Sequence, residues 1–330
     1  MNFNHELSIE AVIKGKSRGA IYVDDSEKPQ SALIMTPECN VVAGYAGNPE
    51  FNVGVKSCLD FGGDAIMCDT TDWERRINDI HSNVAVRKYL RRYYQLSQRL
   101  LPDFTGLDGK YTVEYVYSDG LDDLKYNNSE NVIDWFNFSN IDDYKGCCLG
   151  AYVRTDSKIV SWCLADCIVE DKMEIGVKTD PEFRRQGLAT IAVAATVSKC
   201  MANGIRQIGW HCVDSNIGSY TVAERVGFVK VKEYSCYTPH PPIENITDLN
   251  DDQWADWGKH YDEMNEIEPR YHWQAAQCWA FANDVPNTIR NVKYIWNSGQ
   301  TIDRDIFLEQ CSRLQGNGRW NSFVSTLVWD

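Results

Sequence analysis

The stretch Asp180–Pro181–Glu182–Phe183–Arg184–Arg185–Gln186–Gly187–Leu188–Ala189 joins two different hydrophobic periods. Before it, Met173, Ile175 and Val177 alternate as in a strand; after it, an alanine-rich run continues to Asn203–Gly204 at helical spacing. A strand, a glycine-bearing turn and a helix start together form an anion seat. Unpaired backbone N–H groups converge there, the helix dipole favours negative charge, and Gly187 lets a phosphate come close to the backbone. Arg184 and Arg185 add planar, bidentate phosphate donors. The stretch therefore predicts a pyrophosphate site built from Arg184, Arg185, Gln186, Gly187, Leu188 and Ala189.

Neither common nucleotide loop is present at this turn: there is no G-x-x-x-x-G-K-[ST] run and no G-x-G-x-x-G run. Instead, Arg184-x-x-Gly187-x-Ala189 after a strand resembles the signature of the GNAT superfamily, the acyl-coenzyme A–dependent N-acyltransferases. The residues beyond the helix keep the order of that superfamily's next motif: an apolar strand Ile205–Val213, then Asn216-x-x-Ser219, then a short helix closing at Gly227–Phe228. The resemblance implies a mixed, mostly antiparallel α+β sheet in which two neighbouring parallel strands splay apart. Here these would be 172–179 and 205–213, with cofactor and substrate meeting between them.

Further stretches are similar to a bacterial subfamily with a long N-terminal half, which includes self-resistance proteins acting on the antibiotic zwittermicin. They are Ile21–Asp24, Ile159–Cys163, Glu174–Val177-x-Thr179 and Val222–Phe228. This likeness implies a degenerate copy of the same fold over residues 1–109 and a catalytic domain over 110–237. It does not transmit the acceptor, because a fold and its cofactor site outlast changes of substrate.

Within 1–109, strand patterns fall at Gly19–Val23, Ser31–Thr36, Asn40–Tyr45 and Ala65–Cys68. Helical spacing links Phe51, Val55 and Leu59, and Asp72 is placed to cap a helix through Trp73 and Ile77. The basic, aromatic run Arg87–Tyr94 reads as a solvated strand or helix face. Within 110–237, strands are expected at Tyr111–Tyr117, Cys147–Arg154 and Ile159–Ile168, with helical patterns near Leu121–Tyr126 and Glu130–Phe136. A strand at 228–234 is short and is followed by prolines, so the fold's usual final strand would have to come from elsewhere.

Thr238–Pro242 reads as a linker, since three prolines in five residues cannot continue a sheet or helix. The region 243–330 beyond it is helical in pattern at Gln274–Phe281, Val285–Ser298 and Arg304–Leu314. From Pro239 onward, 14 acidic and 7 basic residues carry half of the chain's net charge of −14. Part of this region resembles one tetratricopeptide-type hairpin. A single such unit cannot bury its own face, so it is expected to pack on the catalytic part or to dock a protein partner.

At 330 residues the chain is long enough for two or more domains. The acidic balance argues against nucleic acid, whose binding depends on a cationic surface. No apolar run approaches the roughly 18 residues of a membrane span. The first ten residues lack a cationic leader with an apolar segment, which points to a cytoplasmic protein. The 12 cysteines show no C-x-x-C spacing, so no metal site is expected.

Amide formation from a thioester needs a neutral amine. A lysine-like amine is neutral in only about 1 molecule in 2,500 at pH 7, so a base must take a proton and the departing thiolate must later receive one. In the resemblance, the main chain of Val177, Lys178 and Thr179 would hold the pantetheine of acetyl-coenzyme A. Asn216 would lie along that arm and Ser219 would approach the sulfur, although helix capping serves both residues equally well. Glu174 is the first candidate for the base. Counting back from Arg184, the superfamily's catalytic glutamate falls nearer Met173, so Glu174 requires a bulge; Lys172 beside it also allows a surface ion pair. His211 is the second candidate. The superfamily's usual thiolate-protonating tyrosine is replaced here by Ala223, and Tyr220 on the same helix could substitute. The expected activity is N-acetylation of a small amine, with a protein amine as the variant. The alternative is a non-catalytic acyl-coenzyme A–binding module whose helical tail recruits a protein.

Overall fold

The computed structural model describes residues 5–59, 65–80, 86–97, 107–119, 121–124, 132–243, 245–267 and 269–329. The chain forms two compact units. One comprises residues 1–60, 64–76 and 88–237, and the other residues 61–63, 77–87 and 238–330.

The first unit is built on a single sheet. Its strands are β1 (Ala20–Val23), β2 (Ser31–Met35), β3 (Asn40–Gly44), β4 (Ile66–Cys68), β5 (Arg87–Leu96), β6 (Thr112–Tyr117), β7 (Cys148–Arg154), β8 (Ile159–Val169), β9 (Lys172–Thr179), β10 (Gln207–Val213) and β11 (Phe228–Thr238). They lie in the order β1-β2-β3-β4-β11-β5-β10-β9-β8-β7-β6. Residues 1–109 and 110–237 thus share one sheet, and their strands alternate at its centre. The place beside β10 that the sequence left open is filled from the N-terminal half: β5 pairs antiparallel with β10, Trp210 opposite Tyr94 and His211 opposite Tyr93.

This corrects the reading of Arg87–Tyr94 as a solvated face. The strand is central, Tyr94 is fully buried, and Arg91 is paired with Glu38. Isolated basic residues suggest solvent, but a buried guanidinium is tolerated when a carboxylate meets it.

The helices follow local rules. In α2 (Pro49–Cys58), Asn48 Oδ1 accepts from Phe51 N–H at 3.2 Å and proline occupies the first turn. Asp72, expected to cap α3 (Thr71–Ile80), lies inside its first turn. Thr70 Oγ1 does that work, accepting from Trp73 N–H at 3.3 Å. The segments around 121–126 and 130–136 form only short 3-10 turns, Leu121–Leu124 and Val132–Trp135, in the described residues.

α4 (Leu188–Ala202) lays Ala192, Val193 and Val197 into an apolar core with Leu149, Ile175 and Trp210. Its small side chains bring it close enough for the Thr196 hydroxyl to donate to the Cys163 carbonyl at 3.0 Å. α5 (Ile217–Val226) ends at Gly227, whose φ of +103° suits glycine. On the opposite face of the sheet, a helix the sequence reading did not anticipate, α1 (Leu7–Ile13), packs Leu7 and Ala11 against Cys167 and Val169.

The second unit holds α6 (Asp251–Ile267), α7 (His272–Phe281), α8 (Val285–Asn297), α9 (Arg304–Gln310) and α10 (Gly318–Val324). Among the described residues, the hairpin α7–α8 is packed by other helices of the same unit. α6 supplies Trp254, Trp257 and Tyr261 against Trp279 and Phe281, while Phe307 and Trp320 close over Ile289 and Val292. Asp262 ties the three helices together, accepting from Trp279 Nε1 at 2.8 Å and from Asn291 Nδ2 at 2.9 Å. None of the helices among the described residues is long and apolar enough to cross a membrane.

Candidate active site

β9 and β10 run parallel and pair only at Lys172–Gln207, Met173–Ile208 and Glu174–Gly209. Beyond Glu174 the ladder between them stops. The edge of residues 175–179 that faces β10 is therefore left without a strand partner among the described residues, while its other edge is fully paired to β8. Val177, Lys178 and Thr179 lie on that open edge. Backbone amides and carbonyls there remain available to an extended ligand.

At the far end of β9 the predicted anion turn is present. Gly187 caps α4 with φ +81°, and a β-carbon built on it would meet nothing within 4 Å. Among the described residues, no acceptor meets the N–H groups of Gly187, Leu188 and Ala189. Arg184 and Arg185 are exposed beside the turn, and Arg184 Nε donates to the Thr179 carbonyl at 3.1 Å. The side chain of Gln186 accepts from Tyr111 Oη at 2.7 Å, which ties the turn to the residue just before β6. These residues fit a diphosphate: an open cradle, unpaired amides and two guanidinium groups.

Asn216 and Ser219 are engaged within the fold. Asn216 Oδ1 caps α5 by accepting from Ser219 N–H at 2.9 Å, and Ser219 Oγ accepts from Trp210 Nε1 at 3.0 Å.

Glu174 lies where the strands part. β9 alternates regularly, sending Met173 and Ile175 into the apolar core and Glu174 to the opposite face. The bulge expected to bring Glu174 into place is not found in β9; an irregularity lies instead in the neighbouring strand, where Ala165 faces Ile175 and Cys167 faces Glu174, with Asp166 as the extra residue. Lys172 is not Glu174's partner, because its ammonium meets Glu10 at 2.8 Å. The Glu174 side chain is only 6 % exposed. Its Oε1 accepts from Leu7 N–H at 2.8 Å and lies 3.1 Å from His211 Nε2, so both candidate bases belong to one cluster. Space for the carboxylate comes from Gly209 on β10, whose missing β-carbon would stand 3.1 Å from Glu174 Cγ and 3.2 Å from the Tyr93 ring. Tyr220 is not in this cluster; its ring lies under the Arg92 guanidinium, 4.1 Å away.

The rest of the cluster escaped sequence reading. Tyr93 stacks on His211 with centroids 4.8 Å apart, and Tyr234 Oη is 2.8 Å from His211 Nδ1. The residues just before α1 supply Glu6 Oε1, 3.2 Å from Nδ1, and the His5 carbonyl, 3.2 Å from Nε2. Burial works against a charge on His211, but the carboxylates of Glu6 and Glu174 outweigh it and raise its pKa to about 9. Burial pushes Glu6 up to about 7, with His211 opposing that rise. A cavity of about 340 Å³ adjoins the cluster, lined by Glu6, Ile9, Ile13, Tyr93, Glu174 and Gly209 among others.

A sequence profile of the GNAT acetyltransferases matches residues 2–237. The chain belongs to this acetyltransferase family. It is 25 % identical over 228 residues to a Bacillus subtilis protein described as the uncharacterized N-acetyltransferase YdfB, covering 66 % of this chain and 85 % of that one. Its fold is similar to that of a GCN5-related N-acetyltransferase-like protein from Streptococcus suis, with a TM-score of 0.51 and 21 % identity. That match covers 71 % of this chain and 92 % of the other. Members of the family generally use acetyl-coenzyme A as co-substrate.

Proposed function

We propose that this protein transfers an acetyl group from acetyl-coenzyme A to the primary amine of a small molecule, with Glu174 as the base. The observation that carries this reading is the position of Glu174: the last paired residue before β9 and β10 part, buried, bonded and beside a cavity. A volume of about 340 Å³ suits a small acceptor, at the lower end of ordinary ligand pockets. Glu174 and Glu6 in the lining could meet an ammonium group, while Glu10 there is paired with Lys14 and Lys172.

The open edge of Val177–Thr179 would hold the pantetheine arm, and residues 184–189 the pyrophosphate. An incoming ammonium gives one proton to Glu174. The neutral amine attacks the thioester carbonyl, and the C–S bond breaks as the C–N bond forms. The second nitrogen proton passes to the departing sulfur through water, a role left open by Ala223 and by the placement of Tyr220. Glu174 then returns its proton to solvent, so the reaction balances without another reagent.

The test is thiol release from acetyl-coenzyme A in the presence of pooled primary amines. Polyamines and aminopolyols belong in the pool, given the likeness of Val222–Phe228 to the zwittermicin resistance proteins. Binding of acetyl-coenzyme A without thiol release above background would favour the non-catalytic reading. The Glu174–His211 pair argues for catalysis, since a binding module has no need of a buried, bonded carboxylate at that point.

A further inference from the structure

A proton-accepting carboxylate works best when it is held in one orientation. In Glu174, Oε1 is held between Leu7 N–H and His211 Nε2, and Oε2 accepts the weaker bond of the Cys167 thiol at 3.6 Å. On the other side of the same ring stands Glu6, whose side chain is fully buried. Neither Glu6 oxygen makes a well-aligned hydrogen bond among the described residues. It meets two imidazoles as charge contacts: His211 Nδ1 at 3.2 Å and His5 Nε2 at 3.9 Å. A buried carboxylate so poorly bonded is costly unless a charge answers it.

Glu6, Glu174 and His211 bring ligand atoms within 4.8 Å of one another, which raises the question of a metal ion. The pairs already formed account for it without an ion: Glu6 stands at Nδ1 and Glu174 at Nε2, so an imidazolium answers both carboxylates.

We propose that Glu6 is a positioning residue, a counter-charge at Nδ1 that keeps His211 a two-donor imidazolium so that Nε2–H holds Glu174 in place. The inference rests on Glu174 being the base. Glu6 itself neither gains nor loses a proton in the reaction.

The surroundings leave this role to Glu6. Glu38 and Arg91 both face it, but they pair with each other. From β11 come Tyr234 and Lys232, from β5 Tyr93, and from β8 the Cys167 thiol at 3.6 Å from Glu174 Oε2. His5 is held near 3 by burial, then by Lys232 and His211, and so stays neutral. Among the described residues, the carboxylate that raises His211 most is Glu6.

Nitrogen-15 NMR of the histidine-labelled protein tests the inference without an acceptor. In the unaltered protein at pH 7.5, both His211 nitrogens are expected to resonate as protonated; a neutral ring overturns the inference. In Glu6→Gln the ring should titrate lower than in the unaltered protein, because burial is then opposed by Glu174 and Glu38 alone. Turnover at pH 7.5 should fall about 10- to 100-fold with KM for acetyl-coenzyme A unchanged, and Glu6→Asp should recover part of it. A Glu6→Gln protein whose ring titration and pH profile overlay the unaltered ones also overturns it. Should Glu6→Gln fail to fold, the charge state in the unaltered protein decides alone. Glu174→Gln separates the two ideas: full turnover there removes the base assignment, while the ring titration still reports what Glu6 does to His211.

Discussion

His211 Nε2 lies 3.1 Å from Glu174 Oε1, and the two residues come from the two parallel strands at the point where their pairing ends. One strand thus supplies the proposed base and the other its hydrogen-bond partner. Any movement that widens the gap between the strands also loosens the pair. If the proposed site holds, chemistry and cofactor access are coupled through the same two backbones.

Removing the carboxylate should show this directly. Glu174→Gln keeps the shape but cannot take a proton, and turnover is expected to fall about 10²- to 10⁴-fold at pH 7. The loss should shrink toward pH 10, where more of the amine is already neutral. Initial rates of thiol release across pH measure it, and a loss of the same size at every pH would remove Glu174 from the role of base.

The cradle at Gly187 makes a separate claim. A tryptophan there must adopt φ +81° and would fill the open space above the amides. Combined with Arg184→Ala, it should weaken acetyl-coenzyme A binding by at least about tenfold, roughly 1.4 kcal/mol. Calorimetric titration would show it, and unchanged affinity would place the diphosphate elsewhere.

Stability should also depend on pH in a defined direction. His211 is raised from 6.5 to about 9 in the folded protein, so its contribution is complete below pH 6.5 and is lost as pH rises through 9. Glu6, raised from 4.5 to about 7 by burial, makes the folded state bind the extra proton between those values. Both effects lower stability as pH rises; His5, held near 3, opposes them below pH 6.5, so Tm should decline from pH 6.5 to pH 9. His211→Asn should flatten the upper part of that decline. A Tm that climbs over this range would contradict the charge arrangement.

Ser219 offers a test of its structural engagement. Its hydroxyl accepts from the indole N–H of the buried Trp210. Ser219→Ala leaves that donor without its partner and should cost about 1–3 kcal/mol in urea unfolding. A loss of thiol release without a loss of stability would instead tie Ser219 to the sulfur.

The parts of the site that could be read in the sequence are those made by neighbours in the chain. The 180–189 turn, β9, α4, β10 and α5 each carry a local signal, such as alternation, a glycine with positive φ or an asparagine cap. Glu6 carries none. It stands at the start of a seven-residue helix and meets its partners from the other end of the unit; Leu7 reaches Glu174 across 167 positions. Arg91 misled for a related reason, since its half-buried partner Glu38 lies 53 positions away. α6 differs from both: Trp254, Trp257, Tyr261 and Met264 recur at helical intervals, so its apolar stripe was available to a periodicity count.

The insertion of β5 between β10 and β11 has a cost during synthesis. Both flanks of that strand are encoded beyond α4, so at ~5–20 residues/s it waits on the order of ten seconds with its edges bare. Arg87, Lys88, Arg91 and Arg92 within it offer a way to endure that delay, because repelling like charges discourage two unfinished chains from zipping together.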